Sequence, residues 1–355
     1  MNIEINRHLM GLDAYVPGEQ PTEPGWVKLN TNENPYPPAP EVIEVFHSFA
    51  PDRARLYPPP DCATLRSAIG ETLDWPPEGI LITNGSDEGL RLIAHSYLNA
   101  GDRVGMFRPT YSYYPILAQM FGAAISASNV GRRGEWPGPL DFDGVKLFFL
   151  ANPNPPYGTF HTPDQIAEMV ASHPGVLFAI DEAYVEFADR DCLSLLRRFS
   201  NLFLLRTFSK SHALAGLRVG FVLGRSEHMV PLRVVRDSYN VNAMSQMAAV
   251  AAWQARGYYR ARMAEVVQTR EATRMRLSDL GFDVLPSQAN FLFARHGKAP
   301  QLFQQLKERR ILVRYFDAPT TRDGLRITVG TPEQMDTLIL ALSNLLEQKR
   351  PRRDS

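Results

Sequence analysis

Short, nearly uninterrupted hydrophobic runs alternate with polar or helical stretches through the middle of the chain. Six such runs lie at residues 80–82, 103–107, 145–150, 176–180, 202–205 and 219–223. Runs of this kind are typical of strands buried on both faces, as in a largely parallel sheet covered by helices. The pattern therefore predicts an α/β fold whose main sheet is mostly parallel.

After Ser245 the pattern becomes helical. It predicts an amphipathic helix from about 258 to 280, closed by Gly281, because glycine commonly follows a helix end. Further strands are expected at 290–294, 311–313 and 325–329, and further helices at 300–309 and 332–347. This mixture of elements indicates a small α+β domain in the C-terminal part of the chain.

The first 45 or so residues are rich in proline, glycine and asparagine, and the prolines between 35 and 40 disfavour regular structure. We interpret this stretch as an arm. The chain is then expected to divide into an N-terminal arm and small-domain segment at 1–45, a large domain at 46–270 and a C-terminal small domain at 271–355.

Composition excludes several classes of function. Lys and Arg together number 38, as do Asp and Glu, so the net charge is zero, and nucleic acid or an anionic membrane is a poor partner. No stretch approaches the roughly 18 apolar residues of a membrane span. Cys62 and Cys192 have neither metal-ligand spacing nor a disulfide framework, which suits a reducing compartment. We expect a cytoplasmic protein without a metal and without a signal peptide.

The most informative chemistry lies at 207–221, where Lys210 stands between Ser209 and Ser211, eight residues before Arg218. A lysine amine condenses with an aldehyde only when deprotonated, so it needs surroundings that lower its pKa and groups that hold the aldehyde. Pyridoxal phosphate is an aldehyde with a phosphate handle, which serine hydroxyls and an arginine would bind. Taken alone, the segment fits a solvated polar loop better.

Two further strand ends carry groups that suit the same cofactor. Gly85, Ser86 and Asp87 lie where a predicted strand opens into a helix, and N–H groups at a helix N-terminus bind phosphate. Asp181 directly follows a buried strand, where it could keep a pyridine nitrogen protonated, and Tyr184 could donate to the ring's 3-oxygen. For each motif alone, an ordinary turn, a capping aspartate or a core tyrosine remains the alternative.

Two loops after strands complete the pattern. Prolines and a glycine make a rigid loop at 152–158, which could hold Asn152 or Asn154 against a cofactor. One of the tyrosines within 111–114 could stack on an aromatic ring. Five strand ends thus carry, in order, a phosphate turn, a stacking tyrosine, an asparagine loop, a ring aspartate and a lysine. Their combination argues against coincidence.

Nearly the whole chain resembles fold-type I pyridoxal-phosphate enzymes and, among them, the histidinol-phosphate aminotransferase family. The resemblance rests on LNTNENP at 29–35, DEAYVEF at 181–187, SKSHALAGLRVG at 209–220 and LRITVGT at 325–331. It implies a large domain with a mostly parallel, seven-stranded sheet covered by helices. It also implies a smaller α+β domain built from the N-terminal arm and the C-terminal segment, and a homodimer with shared active sites.

The resemblance also implies residue roles. Lys210 would bond to pyridoxal phosphate and carry the proton, Asp181 would pair with the pyridine nitrogen, Tyr184 with the 3-oxygen, and Tyr111 would stack on the ring. The phosphate would be bound by Gly85, Ser86, Asp87, Ser209 and Arg218, with Tyr57 reaching across from a second subunit. The substrate would be engaged by Tyr15, Asn32, Arg314 and Arg326.

Two stretches depart from the family pattern. The family's asparagine loop is close to PNNPTG, whereas here Pro155 takes the place of the functional asparagine and Tyr157 stands where threonine is common. Asn154 is therefore our candidate for the 3-oxygen contact, with Asn152 next. In addition, Pro58 is followed by two more prolines, which could alter how Tyr57 reaches a neighbouring subunit.

The activity that the resemblance implies is amino transfer between histidinol phosphate and 2-oxoglutarate, which yields imidazole acetol phosphate and glutamate in histidine biosynthesis. An aromatic-amino-acid aminotransferase or a threonine-phosphate decarboxylase of the same fold is the alternative, because Arg314 and Arg326 suit the anions of all three.

Overall fold

The computed structural model describes residues 4–138 and 140–347. The basic residues at 349–353, which the sequence predicts to form a solvated, frayed end rather than a binding patch, lie outside these ranges. Within them the strands are β1 Val27–Lys28, β2 Ile80–Thr83, β3 Arg103–Arg108, β4 Ala124–Asn129, β5 Val145–Ala151, β6 Leu177–Asp181, β7 Leu202–Thr207, β8 Gly220–Leu223, β9 Asp283–Val284, β10 Phe291–Arg295, β11 Ile311–Leu312, β12 Arg314–Tyr315 and β13 Gly324–Thr328. The α-helices are α1 Pro40–Ser48, α2 Ala63–Leu73, α3 Gly85–Tyr97, α4 Tyr113–Met120, α5 Pro163–Ser172, α6 Leu195–Arg198, α7 Ser226–Val235, α8 Ala243–Gln254, α9 Arg256–Asp279, α10 Ala299–Glu308 and α11 Pro332–Glu347.

A seven-stranded sheet in the order β2-β8-β7-β6-β5-β3-β4 forms the centre of the large domain. Only β8 runs antiparallel to its neighbours, so the prediction of a mostly parallel, seven-stranded sheet is confirmed. Both faces of the sheet are covered. In β5, Phe148 packs into one hydrophobic core while Leu147 and Phe149 pack into the other, which explains the unbroken hydrophobic runs in the sequence.

The small domain is built around the antiparallel sheet β12-β13-β10-β9. Helices α10 and α11 pack on it through a third core, to which Leu302 and Leu338 belong. The N-terminal arm joins this domain, because β1 pairs with β11 and Leu29 is buried in the same core. This agrees with the prediction of a small α+β domain assembled from both ends of the chain.

The proposed domain boundaries fall inside helices. Helix α1 spans the boundary at residue 45, and its Val42 belongs to the large-domain core. Helix α9 spans the boundary at 270: Met263 packs into the large-domain core and Leu277 into the small-domain core. A helix shared by two cores is a rigid connection, so the exact division of the chain stays a prediction.

The sequence pattern missed β4, which lies at the edge of the central sheet and pairs only with β3. Its residues are half-buried or exposed, so the strand carries no continuous hydrophobic run. No helix of the described part of the chain is long and apolar enough to cross a bilayer.

Candidate active site

A cleft of about 340 Å³ opens where the parallel strands end at their carboxyl edge and the small domain approaches the large one. Twelve of the fifteen predicted site residues line it: Tyr15, Asn32, Ser86, Asp87, Tyr111, Asp181, Tyr184, Ser209, Lys210, Arg218, Arg314 and Arg326. A second cavity lies elsewhere in the described part of the chain and contains none of them.

Lys210 follows β7 and projects into the cleft. Its Nζ donates to the carbonyl oxygen of Thr31 at 3.1 Å. Burial, with the positive charge of Arg326 as a smaller cause, lowers the pKa of Lys210 to about 8. The neutral amine, which attack on an aldehyde requires, is therefore far more populated near physiological pH than for an ordinary lysine, although it remains the minor form.

Asp181 ends β6 at the floor of the cleft and is 4% exposed. Its carboxylate accepts hydrogen bonds from the Tyr114 hydroxyl at 3.0 Å and the Ala183 amide at 3.1 Å, but among the described residues it has no cationic partner. Burial therefore raises the pKa of Asp181 to about 7. A cation that bound beside this carboxylate would be strongly favoured.

Tyr184 presents its hydroxyl to the cleft. The oxygen accepts a hydrogen bond from the Asn32 side chain at 3.0 Å, which leaves its own proton free to be donated to a ligand. Asn32 is held in turn, since its backbone amide donates to Thr328 and its carbonyl accepts from Asn290. The predicted substrate residue Asn32 thus touches the predicted cofactor residue Tyr184.

The turn before α3 has the geometry of a phosphate cradle. Gly85 has φ +75°, and a Cβ on it would stand 2.5 Å from Nη2 of Arg218, so only glycine lets the guanidinium approach. The side chain of Asn84, which precedes α3, does not cap the first amides of the helix. Arg218 also donates to Ser209 at 3.3 Å and to Asp87 at 3.2 Å. Amides at a helix N-terminus, a hydroxyl and a guanidinium together suit a phosphate.

Tyr111 stands beside this cradle and donates its hydroxyl to Asp87 at 3.1 Å. Its ring forms an edge contact with Tyr15, with ring centres 6.1 Å apart. Burial raises the pKa of the Tyr111 hydroxyl, so the residue stays neutral and offers an aromatic face to the cleft.

Arg326 and Arg314 lie side by side on β13 and β12. Arg326 donates to the Asn30 carbonyl at 2.7 Å, but its Nε has no hydrogen-bond partner in the described part of the chain. Arg314 donates to the backbone carbonyls of Val16 and Pro17. Neither guanidinium pairs with a carboxylate among the described residues, so the two form a ready site for an anion.

Three of the predicted site residues, Gly85, Asn154 and Tyr57, do not line the cleft. Gly85 lies next to it, in the turn that forms the phosphate cradle. Asn154 is fully buried, and its amide is occupied by the Thr110 hydroxyl and the Pro109 carbonyl. The alternative, Asn152, is likewise occupied by the backbone of His161. The expected contact between an asparagine and the 3-oxygen therefore has no support in this arrangement and stays a prediction.

Tyr57 lies away from the cleft of its own chain. It is 80% exposed and stacks on Tyr239 with ring centres 4.4 Å apart. An exposed pair of tyrosines next to the large domain is compatible with the expectation that Tyr57 serves a second subunit, which stays a prediction.

Sequence reasoning missed several residues that support the site. Tyr114 donates a hydrogen bond to Asp181, Asn34 donates to the carbonyls of Lys210 and Ser211 at 3.0 Å each, and Phe316 packs against both cleft arginines. Asn34 lies within the LNTNENP motif and could have been singled out. Phe316 reaches both arginines because β12 and β13 form a hairpin, and no local sequence pattern predicts that contact.

Comparison with known proteins gives a consistent picture. Residues 24–342 match the family described as aminotransferase class I and II. The chain is 43% identical over 341 residues to the histidinol-phosphate aminotransferase of Chromohalobacter salexigens, covering 93% of this chain and 95% of that protein.

Two solved structures share the fold. The histidinol-phosphate aminotransferase of Sinorhizobium meliloti, in complex with pyridoxal-5'-phosphate, has a TM-score of 0.86 at 22% identity and covers 98% of this chain and 99% of its own. The L-threonine-O-3-phosphate decarboxylase of Porphyromonas gingivalis has a TM-score of 0.79 at 24% identity and covers 90% and 99%. Because enzymes with different names share it, the fold alone does not select the reaction.

Proposed function

This chain belongs to the aminotransferase class I and II family and is an aminotransferase, and we propose that it uses pyridoxal phosphate to exchange an amino group between histidinol phosphate and 2-oxoglutarate in histidine biosynthesis. The observation that carries the proposal is a cleft that contains three ionisable side chains without a salt bridge among the described residues. Burial lowers the pKa of Lys210, and among the described residues Asp181 has no cationic partner and Arg326 no carboxylate partner.

The chemistry of the donor set fits pyridoxal phosphate at both of its ends. Asp181 is a buried carboxylate in need of a cation, which a protonated pyridine nitrogen provides. The uncapped start of α3, with Ser86, Ser209 and Arg218, would hold the phosphate. Tyr184 would donate to the 3-oxygen and Tyr111 would cover the ring. When bound, the cofactor supplies an electron sink for carbanion chemistry at the substrate α-carbon.

Lys210 has two tasks in this proposal. Its neutral amine would form the covalent bond that holds the cofactor, and once the substrate amine had taken its place, Nζ would accept the proton from the substrate α-carbon. The lowered pKa serves both tasks, because a general base works best when its pKa lies near the operating pH.

Arg326 and Arg314 would bind the anion of either substrate. A planar guanidinium binds a carboxylate or a phosphate with two parallel hydrogen bonds, so one pair can serve the phosphate of histidinol phosphate and a carboxylate of 2-oxoglutarate in turn. The name of the 43% identical relative supports histidinol phosphate as the amino donor.

We also propose that the enzyme is a homodimer in which Tyr57 of one subunit completes the phosphate site of the other. The large exposure of Tyr57 supports this assembly, because an exposed tyrosine is a common anchor at protein interfaces.

Steady-state kinetics with a fixed concentration of 2-oxoglutarate tests the substrate assignment. We expect kcat/KM for histidinol phosphate to exceed that for phenylalanine by at least about tenfold, and no release of CO₂ from threonine phosphate. A higher kcat/KM for phenylalanine would favour an aromatic aminotransferase, and CO₂ release would favour a decarboxylase. Either result would contradict the proposed function.

A further inference from the structure

A hairpin loop connects the two substrate arginines. Loop 316–323 joins β12, which carries Arg314, to β13, which carries Arg326, and it lines the cleft through residues that include Phe316 and Thr320. The ring centre of Phe316 lies 5.3 Å from Cζ of Arg314 and 5.4 Å from Cζ of Arg326. Where this loop lies therefore affects where both guanidinium groups point.

Tyr157, which directly follows the cleft-lining residues Pro155 and Pro156, holds this loop. Its hydroxyl donates to the carbonyl oxygen of Thr320 at 2.7 Å, and the residue is only 1% exposed. The ring packs on Phe293 with centres 5.0 Å apart, and Cζ of Arg295 lies 5.1 Å from the ring centre. The large-domain loop 152–158 is thus bonded directly to the small-domain hairpin.

A second donor converges on the same carbonyl. Nη1 of Arg295 donates to the Thr320 oxygen at 3.2 Å and pairs with Asp323, which lies in the same loop. Nη2 of Arg295 donates to the Arg132 carbonyl at 2.8 Å. The hydroxyl of Tyr157 and the guanidinium of Arg295 therefore fix the hairpin loop from two directions.

Tyr157 is itself held in place. The next residue, Gly158, has φ +79°, and its carbonyl accepts from the amide of Gln288 at 2.8 Å. A Cβ at Gly158 would stand 2.2 Å from Oγ of Ser287, so the backbone of Gly158 packs directly against the Ser287 side chain. Threonine, the common residue at position 157 of this motif, carries its hydroxyl on Cβ and lacks the ring that spans the distance to the hairpin.

We propose that Tyr157 is a positioning residue that sets the affinity of the cleft for the anionic group of the substrate. Its hydroxyl holds loop 316–323, the loop holds Phe316, and Phe316 orients Arg314 and Arg326. The inference rests on the proposed function to the extent that these arginines bind the substrate anion. It concerns binding of substrate rather than the proton transfer at Lys210.

The substitution Tyr157→Phe removes only the hydroxyl. For the cofactor-loaded enzyme we expect the KM for histidinol phosphate to rise about fivefold, on the order of one neutral hydrogen bond, with kcat changed less than twofold. Amide hydrogen exchange in peptides covering 316–324 should become several-fold faster, while exchange in α11 should not change. Tyr258→Phe is the matched control, because its hydroxyl also donates to a backbone carbonyl, that of Pro37, outside the cleft.

Three results would overturn the proposal: an unchanged KM, a fall in kcat at constant KM, or unchanged exchange in 316–324. The exchange measurement does not depend on the substrate. If the wild-type enzyme does not use histidinol phosphate at all, the proposed function fails, whereas faster exchange confined to 316–324 in Tyr157→Phe still supports the holding role of the hydroxyl.

Discussion

Lys210, Asp181 and Arg326 are ionisable side chains that the fold partly or fully buries without a salt bridge among the described residues. Such groups cost stability in the empty protein, and a bound cofactor and substrate would supply the missing charges. At the residue scale, these unpaired groups lower the free energy of unfolding, and a ligand with complementary charges would raise it again.

The substitution Lys210→Met should stabilise the cofactor-free protein in a pH-dependent way. The pKa of Lys210 is about 8 in the folded protein and 10.5 in the unfolded chain, so its protonated form favours unfolding. The cost is complete below pH 8 and disappears as the pH rises to 10.5. We expect the variant to gain up to about 3 kcal/mol at pH 7 and distinctly less at pH 10. Urea unfolding at both pH values measures it, and a gain that is independent of pH would contradict the burial of this charge.

Arg326→Lys should weaken substrate binding while leaving the cofactor in place. Lysine keeps the charge but offers no planar pair of donors, so we expect the KM for histidinol phosphate to rise by about ten- to a hundredfold. Pyridoxal phosphate content, measured after alkaline release, should equal that of the wild type. A lost cofactor with an unchanged KM would instead assign Arg326 to the cofactor site.

The placement of a site residue could be predicted from the sequence where a motif puts it at a strand end, as for Asp181 and Lys210, which both line the cleft. They could not be predicted where a partner comes from a distant segment. The hydrogen bond from Tyr114 to Asp181 spans 67 residues, and that from Tyr157 to Thr320 spans 163. Because the two residues of each pair are far apart in the sequence, no local pattern predicts their contact.

At the scale of elements, strand β8 packs directly against the backbone of the turn at Gly85 and Ser86. A Cβ at Gly220 would stand 2.6 Å from the amide nitrogen of Ser86 and 2.7 Å from the carbonyl carbon of Gly85. Both are backbone atoms of the cradle, and Gly220 itself is paired to β2 and β7. Neither side of this contact can move without disturbing the strand or the turn.

Gly220→Ala should therefore displace the cradle and weaken the binding of pyridoxal phosphate by about tenfold or more, the equivalent of ~1.4 kcal/mol. Gly216→Ala is the matched control in the same segment, because a Cβ there meets nothing within 4 Å. Equilibrium dialysis of the two variants gives the comparison. Equal affinities would show that the turn tolerates the extra atom.

The hydrophobic pattern predicted the strands of the central sheet wherever both faces of the strand are buried. Helix α11 was predicted at the bounds that the structure has, and six central strands within two residues at each end. Strand β4 was missed because an edge strand needs no continuous hydrophobic run. Helix α1 was missed because prolines precede it, although proline is favoured in the first turn of a helix, as at Pro40.

At the scale of the whole molecule, the cleft lies between two domains that share the N-terminal arm and α9. The arm brings Tyr15, Thr31 and Asn32 to a site whose lysine and aspartate come from the large domain. The proposed dimer would add Tyr57 from a second copy of the chain.

Mixed dimers test this sharing. Lys210→Ala disables a site in its own subunit, whereas Tyr57→Ala should disable the site of the other subunit. Refolding an equimolar mixture of the two variants should restore activity in about one quarter of the sites, because random pairing in a two-fold dimer makes half of the dimers mixed and leaves one intact site in each. Activity no greater than the sum of the two parent variants would mean that Tyr57 acts within its own chain.

The covalent bond at Lys210 is the centre of this account, and trapping it is the most direct test. The protein is incubated with pyridoxal phosphate, reduced with borohydride, digested and sequenced by mass spectrometry. We predict a phosphopyridoxyl group on Lys210 alone, which disappears when the protein is first treated with histidinol phosphate, because the substrate amine displaces the lysine. A label on any other lysine, or a Lys210→Ala variant that still turns over histidinol phosphate at the wild-type rate, would contradict it.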